Sequence, residues 1–280
     1  MDKDNGNKDT ASKSTSSSDE WGDKLAELIA WFEGNPNLPE KIEPIVMLRF
    51  LKCMAFDVKR TKSLVELNYS MRNKHPHLFM DRNMEDEMTA KGLKVSDLLI
   101  LPGITPQGTK LLFFRMADLD PHTRNSVEET KIFFMMSDAR FTIPDVERGA
   151  GNVEDYVLDE ADIAKGDVHI VDIEGYTLRH LAYAMHVINC PSYLDRLISM
   201  MSPFLREEVR NMIKYHTGGL ESLYEEVPRD MLPDEYGGKA GSIAELKARA
   251  VQSIKDKTAY LSDERYWKVA SQSKSRWSWF

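Results

Sequence analysis

Three short apolar runs limit what this chain can fold into. Leu111-Leu112-Phe113-Phe114, Val168-His169-Ile170-Val171-Asp172-Ile173 and His186-Val187-Ile188-Asn189 are nearly continuous in hydrophobicity and bounded by polar turns. Such runs are the mark of strands buried on both faces, the situation of a parallel sheet covered by helices. Met212-Ile213-Lys214-Tyr215 is read as a further strand. Between the runs lie helical patterns at Val127–Ala139, Tyr176–Ala184, Tyr193–Leu205 and Leu220–Glu226. Strands alternating with helices predict an α/β domain with a mostly parallel sheet.

The upstream texture is helical. Trp21, Leu25, Leu28, Ile29, Trp31 and Phe32 repeat at helical spacing until the Gly34-Asn35-Pro36-Asn37 breaker. Pro44 suits the first turn of a second helix reaching Met54, with Ile45, Leu48, Leu51, Met47, Phe50 and Met54 on a broad apolar face. Asp57 is placed to cap a third helix reaching Asn73, with Val58, Leu64, Leu67 and Met71 expected inward. Residues 1–20, rich in Ser, Asp and Lys, are expected to be a disordered tail. The expected organisation is therefore that tail, a helical subdomain over 21–100, the α/β domain over 101–242, and a helical, then basic and aromatic tail over 243–280.

Composition removes several function classes. A net charge of −8, from 37 basic and 45 acidic side chains, opposes global attraction to nucleic-acid phosphates. No apolar run approaches the roughly 18 residues of a membrane span, and the first twenty residues lack a leader pattern, so a cytoplasmic location is expected. Cys53 and Cys190 stand far apart, which predicts reduced core thiols rather than a disulfide framework or metal-ligand pair. HExxH, GxSxG, a strand followed by GxGxxG, and GxxxxGK[ST] are all missing. No catalytic residue, metal or cofactor is assigned, and the chain is expected not to be an enzyme. Gly237-Gly238-Lys239-Ala240-Gly241-Ser242 has the wrong spacing for a phosphate loop and reads as a turn. Asp172 and Glu174 end a predicted strand and are read as caps of the next turn in preference to an acid–base pair.

Several motifs in order resemble the CRAL-TRIO (Sec14-like) family, particularly its tocopherol- and retinal-binding branch, over about residues 21–265. They are Leu48-Arg49-Phe50-Leu51-Lys52 with Phe56-Asp57, then Val171-Asp172-Ile173-Glu174-Gly175, His186-Val187-Ile188-Asn189-Cys190-Pro191, Pro203-Phe204-Leu205 and Leu232-Pro233-Asp234-Glu235-Tyr236-Gly237-Gly238. The resemblance implies a helical subdomain followed by an α/β domain whose sheet floors a pocket for one hydrophobic small molecule under a mobile lid, with transient visits to a membrane surface. By that resemblance Thr130, Phe133, Phe134 and Ser137 match the helix facing the ligand. Tyr193, Leu194, Leu197, Ile198, Met201 and Phe204 match the lid. Phe113, Ile170 and Ile188 are taken as the floor, subject to the period-two alternation of strands.

Two departures from the family pattern stand out. The connection from Glu174 to Met185 is shortened where relatives carry a further helix, and a parallel crossover normally needs a dozen or more residues. This motivates an alternative, an interaction module or shortened isoform that has lost the pocket. At the positions matching a phosphoinositide headgroup site stand Met54, Glu208 and Met212, so headgroup-triggered exchange is not expected. Lys274, Arg276, Trp277, Trp279 and Phe280 suit either a membrane surface or packing against the body.

Overall fold

The computed structural model describes residues 15–118, 125–146, 158–172, 174, 185–188, 213–216 and 219–269. Its contacts divide the chain into two compact units, one of residues 1–73 with 265–280 and one of residues 74–264.

The first unit is built on three helices, α1 (Thr15–Glu33), α2 (Pro44–Cys53) and α3 (Val58–Lys74). Helix α1 starts at Thr15, inside the segment expected to be disordered. Once a buried face has nucleated a helix, each upstream residue adds one hydrogen bond at little further cost. Leu28, Phe32, Met47, Leu48, Leu51 and Val65 are fully buried, and the Phe32 and Tyr69 rings meet edge-on at 5.3 Å. The returning segment is stitched on by hydrogen bonds: the Asn73 amide donates to the Trp267 carbonyl at 3.0 Å and its oxygen accepts from the Val269 N–H at 3.2 Å. The Tyr266 hydroxyl donates to Glu43 at 2.8 Å.

Asp57 caps α3 as expected, accepting from the Arg60 N–H at 2.9 Å. The inward face is not the one expected, however. Thr61, Val65 and Tyr69 are buried, while Leu67 and Met71 are exposed. The Thr61 hydroxyl bonds to the Asp57 carbonyl at 2.7 Å, so a polar residue satisfied by its own helix takes a core position that hydrophobicity alone would not assign to it. Cys53 is free, but it is exposed and not a core thiol.

The second unit contains α4 (Pro76–Phe79), α5 (Glu87–Val95), β1 (Ser96–Ile100), β2 (Thr109–Met116), α6 (Ser126–Phe141), β3 (Gly166–Asp172), β4 (Met185–Ile188), β5 (Ile213–Tyr215), α7 (Glu221–Tyr224), α8 (Ile243–Asp256) and α9 (Thr258–Ser262). The fold is mixed α/β, and the sheet order is β1-β2-β3-β4-β5. The pairs β2–β3, β3–β4 and β4–β5 are parallel, and β1–β2 is antiparallel. Strand β1 lies in the stretch expected to be wholly helical. It is an edge strand whose five residues acquire extended partners only by pairing with β2. Helix α8 packs along β1, which shields an edge that would otherwise expose unpaired backbone groups.

The short connection over 173–184 does not prevent parallel pairing, since His169 through Asp172 stand opposite Met185 through Ile188. Among the described residues one large core lies under the sheet, joining Leu99, Leu111, Phe113 and Ile170 to Leu223, Val227, Leu232, Tyr236, Ile243 and Leu246.

Helix α6 is capped by Asn125, whose side chain accepts from the Val127 and Glu128 N–H groups. Ile132, Met135, Met136 and Ala139 are buried on it, and it packs against α4, α5, α8 and α9. It is also held by ion pairs. Arg82 donates to Asp138 at 2.5 Å with both side chains nearly inaccessible to solvent. Arg140 bridges Asp145 at 2.7 Å and Asp167 at 2.6 Å. Truncating one member of a buried pair strands the other charge, a loss of roughly 3–5 kcal/mol, whereas replacing both by apolar groups is often neutral. Urea unfolding of Asp138→Ala is therefore expected to show a loss of that order, and the double variant Arg82→Met/Asp138→Leu is expected to recover most of it.

Candidate functional site

An aromatic row crosses α6. The Phe79 ring of α4 lies 4.4 Å from Phe134, Phe134 lies 5.7 Å from Phe133, and Phe133 lies 5.9 Å from the His169 ring of β3. Phe133, Phe134, Ser137 and His169 are only partly buried, and Thr130 is exposed. This side of α6 thus offers apolar area still accessible to solvent, in contrast to the packed side carrying Ile132, Met135 and Met136.

The sheet residues beneath the row follow from strand alternation. Leu111, Phe113, Val168 and Ile170 belong to the core cluster on the other face, so Leu112, Phe114, His169 and Val171 point toward the side where Phe133 meets His169. Phe113 and Ile170 are 1% and 0% exposed and lie in that core, not beside the aromatic row; on β2 and β3 the residues on the row's side are their strand neighbours. Ile188 stands opposite Asp172 in register. The expected lid residues Tyr193, Leu194, Leu197, Ile198, Met201 and Phe204 lie outside the described residues, as do the basic and aromatic residues from Lys274 to Phe280. The sequence reading did not include Phe79 or His169. Alternation pointed to His169, the immediate neighbour of Ile170, whereas Phe79 carried no spacing signal.

Polar groups at the site are few. The Ser137 hydroxyl donates to the Phe133 carbonyl at 2.9 Å, so its proton is engaged and its lone pairs are what it can offer a ligand hydroxyl. Burial holds the His169 imidazole below its ordinary pKa; Asp167 pulls it up and Arg140 pushes it down. Among the described residues no cluster of three or more potential metal ligands occurs.

The strand-end carboxylate has a structural task. Asp172 accepts from the Glu174 N–H at 2.9 Å, capping the turn, and also accepts the Tyr236 hydroxyl. Burial, reinforced by the Asp172 carboxylate, raises the Tyr236 pKa. Alongside, Asp97 receives Arg115 at 2.8 Å and Lys247 at 2.6 Å, so β1, β2 and α8 are tied together beside this bond. Tyr236 sits in a loop that requires its two glycines. Gly237 has φ +73°, and a Cβ on Gly238 would stand 1.9 Å from the Leu232 carbonyl oxygen. The glycine-rich stretch after it is a turn, and Ser242 opens α8 with a capping box to Glu245.

The family model described as "CRAL/TRIO domain" matches residues 179–238, a span that includes β4, β5 and the Tyr236 loop. Over that span the chain is similar to the CRAL-TRIO family. A second model, described as "Pinta-like, UBA domain", matches residues 17–89. The chain is 28% identical over 217 residues to the Homo sapiens protein named alpha-tocopherol transfer protein-like, covering 74% of this chain and 62% of that one. It is 24% identical over 198 residues to Mus musculus Clavesin-2, covering 69% and 61%. The chain thus spans less than two thirds of the length of these curated relatives. A solved structure titled "Crystal structure of Sfh5" has a TM-score of 0.40 at 14% identity over 85% of this chain and 92% of its own, a likeness too loose to carry an argument.

Two outcomes test this assignment of roles. Tyr236→Phe removes a buried hydrogen bond to a carboxylate and is expected to lose roughly 1.5–3 kcal/mol in denaturant unfolding. For His169, the folded-state pKa is below the unfolded one. The unfolded chain therefore takes up a proton first as pH falls below about 6.5, and stability drops there. Urea midpoints measured from pH 7 to pH 5 are expected to fall more steeply for the unsubstituted chain than for His169→Gln.

Proposed function

We propose that this chain is a non-enzymatic carrier that holds one small hydrophobic lipid against the α6 side of its sheet and moves it between membranes through the cytoplasm. The candidate ligands are of tocopherol, retinoid, carotenoid, sterol or phospholipid type. The observation that carries the reading is the row in which the partly exposed Phe134, Phe133 and His169 continue from the buried Phe79, on the same side of the sheet as Leu112, Phe114 and Val171 and opposite the packed core. The names of the relatives, which include alpha-tocopherol transfer protein-like, support the same class of ligand.

The physics fits that role. Covering apolar area yields roughly 25 cal/mol per Å² removed from water, enough to retain a lipid without a covalent bond. Thr130 and the Ser137 lone pairs are the polar points near the row, suited to one hydroxyl or ester at the end of the ligand. His169, neutral through its burial, adds a polar edge without placing a charge beside the lipid. Tyr193, Leu194, Leu197, Ile198, Met201 and Phe204 are assigned to the covering lid.

A second reading rests on the short 173–184 connection: the fold persists as an interaction module whose pocket no longer closes. Mass spectrometry of an organic extract from the purified full chain separates the two. A stoichiometric lipid, lost in Phe133→Asp/Phe134→Asp with the far-UV spectrum unchanged, is the outcome expected of a carrier. An empty chain that gains a lipid only when a longer connection replaces 173–184 would give the lead to the second reading.

A further inference from the structure

The outer face of α3 carries an apolar stripe that the three-helix core leaves uncovered. Leu67 is 59% exposed and Met71 45% exposed, and Leu64, partly buried, precedes them by three and seven residues. Arg60 and Lys74 are both exposed and extend the same line at either end. Positions 60, 64, 67, 71 and 74 fall within an arc of about 80° and span about 21 Å of helix. The face lies opposite Thr61, Val65 and Tyr69, which are buried. Single exposed apolar residues are ordinary, but a contiguous group rimmed by charge marks a contact surface.

The charge around the stripe is specific to it. Helix α3 carries Lys59, Arg60, Lys62, Arg72 and Lys74 against Glu66, in a chain of net charge −8. Lys62 pairs with Glu27 at 2.7 Å, and Arg72 bonds to Asn68 and lies over the Trp267 ring. Lys59, Arg60 and Lys74 are exposed and have no ion-pair partner among the described residues. Basic side chains with long aliphatic stems at both ends of an apolar stripe match the interface of a bilayer. Their stems can lie along acyl chains while their charges reach phosphate.

We propose that this face of α3 docks on an anionic lipid surface. The helix lies in the plane of the interface, with Leu64, Leu67 and Met71 at the acyl boundary and Lys59, Arg60 and Lys74 among the headgroups. The acidic remainder of the protein is repelled by such a surface, so the basic stripe sets the orientation of approach. The inference deepens the carrier reading and rests on it only for why a membrane would be visited; its test needs no bound ligand.

The test is co-sedimentation of the full chain with vesicles of phosphatidylcholine alone or with about 30% phosphatidylserine, at low and high salt. Binding is expected to the mixed vesicles and to weaken with salt. Leu67→Ser/Met71→Ser and Arg60→Gln/Lys74→Gln are each expected to weaken it about tenfold or more, given roughly fivefold per basic residue near an anionic surface. Both variants should keep the unfolding midpoint and the extracted lipid of the unsubstituted chain, because these side chains are exposed and lie outside the lipid site. Absence of binding to the mixed vesicles, or equal binding by the variants, would overturn the proposal. Leu67-dependent self-association in place of vesicle binding would also overturn it, in favour of a second copy of the chain. An empty protein that still binds vesicles through α3 would sink the carrier reading alone.

Discussion

The arrangement of the sheet and of the helices packed on it depends on the burial of β2 from both sides. Lys110, Leu111, Leu112 and Phe113 are all buried in succession, so neighbouring residues commit to opposite faces of the sheet. Leu111 and Phe113 close the large core with Ile170 and the 220–246 segment. A slip of one residue would exchange the core set for the set facing α6. The start of the strand carries a polar pin against such a slip. The Lys110 ammonium donates to the carbonyls of Gly103 and Asp145 at 3.1 and 3.0 Å, and Arg140 holds Asp145 and Asp167 beside it. A buried charge without those partners would be very costly, which makes the register hard to change.

The far end of β3 is pinned by different chemistry. Asp172 receives the Glu174 N–H and the Tyr236 hydroxyl, and Tyr236 packs on the Phe113 ring at 4.6 Å. Among the described residues, several of the motif positions that carry the family resemblance thus serve as frame. Leu48 and Leu51 are core residues of the helical unit, Asp172 caps a turn, and Gly238 permits a backbone approach closed to any side chain. The aromatic row at Phe133 and Phe134 lies outside those motifs. A turn or a cap needs particular residues at particular spacing. A lipid surface needs only apolar bulk in the right place.

This division explains what could be read from residues alone. The strands at 109–116, 166–172, 185–188 and 213–215 were legible as short apolar runs. Asp57 and Pro44 announced their helices because capping and the missing N–H of proline act locally. Strand β1 was not legible, since Ser96–Ile100 becomes a strand only by pairing with β2. The inward face of α3 was misjudged because Leu64, Leu67 and Met71 satisfy helical spacing as well as Thr61, Val65 and Tyr69 do. The choice between them fell to contacts such as the Phe32–Tyr69 ring pair.

The α6 residues Phe133, Phe134, Ser137 and Thr130 were grouped by the family resemblance alone, whereas local chemistry accounts for most of the element types and the mostly parallel order of the sheet. Those features follow from periodicity and from backbone demands within a few residues of each other. Which side of each strand faces α6, and which side of α3 stays in water, was decided only by tertiary packing. Alternation and helical periodicity each leave equivalent faces open, and only partners distant in sequence distinguish one face from the other.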